Sequence, residues 1–118
     1  MSNEPEEIRT AEPPLEFDTY EIVILRVPDG RQPLDPEAAK LMHRRHLGHL
    51  AAMRESGMMK AAGPLESRTD ESLAGICLYQ TGSEEEARRL AESDPAVQAR
   101  RFVVEVMTWS TPKGTIAF

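Results

Sequence analysis

The chain has a single cysteine, Cys77, so no disulfide can form within it. That fits a reducing cytoplasm. Cys77 stands in the apolar run Ile76-Cys77-Leu78, where a buried, inert thiol is expected rather than a nucleophile. Aromatics reach only 5% of the 118 residues, so the core must be built from Leu, Val, Ile, Ala and Met. Basic residues are outnumbered 14 to 20, and the net charge of −6 argues against non-specific nucleic-acid binding, which needs a basic footprint. No apolar run is long enough to span a membrane. The N-terminus lacks the basic-then-apolar pattern of a secretory signal, so none is expected. No phosphate-cradling glycine loop occurs. Ser67, Thr69 and Ser72 lie in a polar loop without the surroundings of a serine nucleophile.

What is present reads as one small domain. Residues 1–16 are expected to form a flexible acidic tail, and Pro13-Pro14 blocks regular pairing there. Much of the acidity lies between Glu4 and Glu21. The domain itself is expected over residues 17–110, with a short C-terminal tail over 111–118. Tyr20 to Val27 predicts a first strand. It is almost continuously apolar from Ile22 to Leu25, whereas a strand covered on one face alternates. Both faces are therefore expected to be covered, one by helices and the other by a second copy of the chain.

Asp35-Pro36 is a helix start, with Asp as the cap and Pro at the first position. The helix is expected to run to Glu55 or Ser56 and stop at Gly57. Met58 to Leu65 and Leu73 to Gln80 predict two more strands. Ser83 to Glu86 predicts a capping box that opens a short helix ending near Ser93. Asp94-Pro95 repeats the cap signature and predicts one further turn. Arg101 to Trp109 predicts the last strand. The order β-α-β-β-α-β is that of a ferredoxin-like α+β fold, a four-stranded antiparallel sheet with both helices on one face.

The long helix carries His43, His46 and His49. At about 100° per residue, Ala39, Met42, Leu50 and Met53 cluster with His46 on one apolar face. His43 and His49 flank it at about 60° on either side and are expected to meet solvent. Residue geometry leaves two readings of His46 open. One is a core histidine with a satisfied hydrogen bond. The other is a general acid or base in a partly apolar pocket. No second motif completes a metal shell around His43 and His46, so no metal or cofactor is expected. Asp94 can be read as a simple cap, like Asp35. Arg100 and Arg101 can be read as a solvated strand end, or Arg101 as holding an anionic group of a substrate.

The ordered set Arg45-His46-Leu47, His49-Leu50, Glu55-Ser56-Gly57 and Ala62-Gly63-Pro64-Leu65 resembles the YCII-related domain family. Glu85-Glu86-Ala87, Leu90, Ser93-Asp94-Pro95-Ala96-Val97 and the strand Val103 to Trp109 continue the resemblance, which covers about residues 18–110. The family is similar in fold to muconolactone isomerase, a dimeric α/β barrel in which two sheets meet. The resemblance implies a homodimer and a catalytic pair, His46 with Asp94, beside a pocket lined by Gly63 and Pro64. It also implies cofactor-independent proton transfer on small hydroxylated or cyclic compounds, by isomerisation or elimination. Two rival expectations stand beside it, a non-catalytic binder of small molecules and a purely structural dimerisation module. The chain departs from the family pattern at Ala96, where an aromatic is usual, and at Arg100-Arg101, where a glycine is usual. Both departures predict a roomier, more positive pocket.

Overall fold

The computed structural model describes residues 16–118. The tail expected over residues 1–16 lies, except for Glu16, outside the described residues. Four strands and three helices follow in the order β1 (Phe17–Arg26), α1 (Pro36–Glu55), β2 (Met59–Pro64), β3 (Leu73–Tyr79), α2 (Glu84–Glu92), α3 (Pro95–Gln98) and β4 (Val103–Pro112). The strands form one antiparallel sheet in the order β2-β3-β1-β4, the ferredoxin-like arrangement.

Local chemistry sets the element ends. Asp35 accepts a hydrogen bond from the Ala38 amide at 3.0 Å, and Pro36 follows at the first helical position. Gly57 takes φ +82° and lets the chain leave α1. Ser83 Oγ accepts from the Glu86 amide at 3.0 Å and opens α2. The expected capping box forms only in part. The Glu86 carboxylate turns outward to the Arg89 guanidinium, at 2.7 and 2.6 Å, and the Ser83 amide donates to Thr81 Oγ1 instead. A charge-assisted pair on the surface outcompetes a bond back to a neutral amide.

Register fixes which side chains meet. Val23 pairs with Cys77 on one side and Val106 on the other, and Cys77 pairs with Ala62. Because side chains alternate along a strand, this row faces the helices. Val23, Leu25, Cys77 and Tyr79 are buried there with Met59, Ala87 and Ala91. Glu21 lies on the same side, and its buried carboxylate accepts from the Thr81 amide and hydroxyl at 2.8 and 2.7 Å.

The opposite sheet face is different. Ile22, Ile24, Ile76 and Leu78 are half-buried, and Met107 and Trp109 are exposed. The missing alternation in β1 thus records two apolar faces, of which the helices cover one. The pairing of β1 with β4 extends from Arg26–Val103 to Phe17–Pro112, beyond the expected ends at Tyr20 and Trp109. Thr111, assigned to the C-terminal tail, is a buried strand residue. Phe118 returns to place its ring 5.9 Å from that of Tyr20.

Candidate active site

The apolar stripe of α1 divides along its length. Leu50 and Met53 pack against the core, whereas Ala39, Met42 and His46 border a cavity. No side chain of this 20-residue helix is fully buried. The helix lies over β2 and α3 with open volume beneath its middle.

Asp94 caps α3 from a buried position, 2% exposed. One carboxylate oxygen, Oδ1, accepts from the Ala96 amide at 2.8 Å. The other, Oδ2, lies 2.6 Å from His46 Nδ1. A carboxylate only accepts, so the proton of this contact sits on Nδ1 and the Nε2 lone pair is left available. The ring makes no other hydrogen bond among the described residues, and it borders two cavities. The imidazole side chain is 13% exposed and tilts at 59° to the Phe102 ring, with centroids 5.5 Å apart. A ring held at one nitrogen, wedged by an aromatic and open at the other nitrogen can accept and return a proton.

Two cavities meet at this imidazole. The larger, about 350 Å³, runs from His43, His46 and Leu47 across to Ala62, Gly63 and Pro64 on β2. It continues along Ala74, Gly75 and Cys77 of β3. The space exists because the strands present small residues opposite the helix. The smaller cavity, about 180 Å³, lies toward the start of α1, between Leu34, Met42, Arg31 and Arg101. His43, His46 and Phe102 border both. Gly63, Pro64 and Arg101 therefore all lie on cavities that reach His46.

The end of α3 aims Arg101 and Phe102 into this region. The Arg101 amide donates to the Ala96 carbonyl at 2.8 Å and the Arg100 amide to the Val97 carbonyl at 3.0 Å. This pair of bonds is a Schellman motif, which needs a left-handed residue at its corner. Arg100 supplies it with φ +58°, a conformation that costs a residue with a Cβ roughly 1–2 kcal/mol.

His49 departs from the sequence expectation. It was expected to meet solvent, yet its Nε2 is buried without a partner among the described residues. It lies one residue short of a full turn past His46, on the side where α1 packs inward. Burial pushes its pKa below the ordinary value and nearby His46 adds to this, while the Asp94 charge opposes both. His43 stays exposed, as expected, but borders both cavities. Burial pushes the Cys77 thiol up to about 12 and raises the Tyr79 hydroxyl as well, so both stay protonated near neutrality. Among the described residues, no group of three or more His, Cys, Asp or Glu side chains has the geometry of a metal site.

Sequence reasoning missed Arg31 and Phe102. Phe102, an aromatic at the head of the last strand, could have been found by asking what flanks the Asp-Pro turn. Arg31 carries no local signal, because its partners lie some 70 residues further on.

A model of the YCII-related domain matches residues 10–110. No curated protein matches the chain in sequence. Among solved structures, the fold is similar to 5-chloro-2-hydroxyhydroquinone dehydrochlorinase from Burkholderia phenoliruptrix, in complex with 2,5-dihydroxybenzoquinone. That likeness has a TM-score of 0.51 at 16% identity and covers 76% of this chain and 92% of the other. A protein from Arabidopsis thaliana matches with a TM-score of 0.38 at 14% identity, over 85% of this chain and 99% of the other.

Proposed function

Since the chain belongs to the YCII-related domain family, and since one imidazole stands between a buried carboxylate and open space, we propose that it is a cofactor-independent proton-transfer enzyme. Its substrate is a small cyclic compound, and the reaction is an isomerisation or an elimination. The observation that carries this reading is the 2.6 Å contact of His46 Nδ1 with Asp94. It fixes the tautomer, points Nε2 toward the guest and stabilises the imidazolium formed when a proton arrives. The buried carboxylate holds the ring still at no further ordering cost, because Asp94 is itself fixed by the Ala96 amide.

The reaction requires a carbon acid or hydroxyl near Nε2. His46 takes its proton, and the same imidazolium returns one at another position or to a leaving group. The direct test is solvent-deuterium exchange into a panel of hydroxylated quinones and lactones, followed by NMR. Wild-type protein is expected to catalyse exchange in at least one compound. His46→Ala and Asp94→Asn are each expected to slow it by about 10²–10⁴-fold. Undiminished exchange in both variants would remove the proposal. Bound compounds that never exchange would mark the protein as a binder.

The enzyme is further proposed to work as a homodimer joined through the sheet face opposite the helices. That face presents Ile22, Ile76, Leu78 and Trp109 around a hollow of about 500 Å³. A contiguous apolar surface of this kind marks an interaction site. Light scattering at micromolar concentration is expected to give twice the mass of the chain, and Leu78→Asp to give a folded monomer. A wild-type monomer would rule the dimer out.

A further inference from the structure

The smaller cavity gathers positive charge that the His46–Asp94 pair does not explain. Arg31 follows the turn after β1, and Arg101 follows the Schellman corner after α3. Each reaches the other's segment. Arg31 Nη1 donates to the Arg101 carbonyl at 3.0 Å, and Arg101 Nη1 donates to the Gln32 carbonyl at 2.9 Å. These crossed bonds hold two guanidinium groups at one wall, and each uses one of its five N–H donors.

Among the described residues, neither charge is neutralised there: no carboxylate lines this cavity, and no ion pair involves Arg31 or Arg101. Arg26, Arg88 and Arg89 meet carboxylates, whereas Arg31 and Arg101, like the other unpaired arginines of the described residues, do not; what sets these two apart is that both line one cavity. Backbone carbonyls orient a guanidinium but do not cancel its charge. Two like charges on the lining of one concave cavity suit an anion, and a planar fork suits a carboxylate.

The position relative to His46 defines the rest of the guest. His43, His46 and Phe102 border both cavities, so a molecule anchored at the arginines extends past the imidazole into the larger, mostly apolar chamber. A cavity of about 150 Å³ already accommodates a benzene ring, and this chamber is about 350 Å³. We infer that the substrate is a ring compound bearing a carboxylate, with the carboxylate between Arg31 and Arg101 and the ring across His46. The inference rests on the pocket of the proposed function, but not on proton transfer taking place there.

The test compares two probes of one shape, benzoate and benzamide, by NMR titration of the full chain. Benzoate is expected to shift the His46 and Phe102 resonances saturably, and to bind about tenfold or more tightly than benzamide. Arg31→Gln and Arg101→Gln are each expected to erase the preference, and Arg101→Lys to restore part of it. Because the ratio is read, a variant that only loosens the cavity weakens both probes and leaves the preference in place. Equal affinities in the wild type, no saturable benzoate shift, or a preference surviving in both glutamine variants would overturn the inference. A protein that shows the preference yet exchanges no proton in any compound loses the catalytic reading and keeps this one. Exchange without the preference does the reverse.

Discussion

Asp35 and Asp94 each stand before a proline and each opens a helix, yet only Asp94 meets a histidine. Their local geometry is alike. Asp35 Oδ1 takes the Ala38 amide at 3.0 Å, and Asp94 Oδ1 takes the Ala96 amide at 2.8 Å. Their surroundings are not. Asp35 is exposed at the start of α1, and its second oxygen takes no hydrogen bond among the described residues. Asp94 is buried, and a buried carboxylate without a second partner would be costly. His46, 48 residues earlier in the chain, provides that partner. The Asp94 charge also raises the pKa of His49, Cys77 and Tyr79. A cap is a local property of the dipeptide. A catalytic role is a property of where the fold puts it.

Alanine at the two positions gives the largest contrast. Asp94→Ala removes a cap and strands the His46 Nδ1 hydrogen in a mostly buried site, for an expected loss of about 2–4 kcal/mol in urea unfolding. Asp35→Ala removes only a cap, for about 1 kcal/mol. Equal losses would show that the His46 contact contributes nothing beyond capping. The smallest expected effect is a pH dependence set by His49. Its folded pKa lies below the unfolded value of about 6.5. Between those two values the unfolded chain binds the proton that the native chain excludes. Stability is therefore fully present above pH 6.5 and declines as pH falls toward the folded value. Thermal melts across this range are expected to show a shallower decline in His49→Phe, and a steeper one in Asp94→Asn, where the opposing charge is gone. Identical pH profiles in all three proteins would remove His49 as the cause.

The order of elements was legible because apolar runs, Asp-Pro starts and Gly57 are local signals. The ends of β1 and β4 were not, since their pairing carries on through polar residues such as Thr19 and Ser110. The inward aim of His46 followed from helical periodicity. Its meeting with Asp94 came only through the family resemblance, because nothing along the chain links the two. The seclusion of His49 escaped notice because an angle of about 60° from a stripe centre is interior or exterior depending on what packs beside it. Arg31 was invisible because its partners lie some 70 residues further on. It borders a cavity because the fold brings the turn after β1 against the turn after α3.

The strands that bound the larger chamber leave its dimensions adjustable in some places and fixed in others. A Cβ on Gly75 would meet the Gly63 carbonyl oxygen at 3.2 Å and Leu25 Cδ1 at 3.6 Å, so growth there is resisted by backbone. Gly63 pairs with Ile76, so a Cβ there would meet nothing within 4 Å but would point to the opposite sheet face, whereas Ala62 and Pro64, opposite Cys77 and Gly75, face the chamber. Under the proposed function, guest size would be set by Ala62 and Pro64 on the second strand, and proton handling by the first helix and the Asp-Pro turn. On that reading, a lineage could enlarge or trim what it accepts by altering one edge of the sheet, leaving the His46–Asp94 pair untouched.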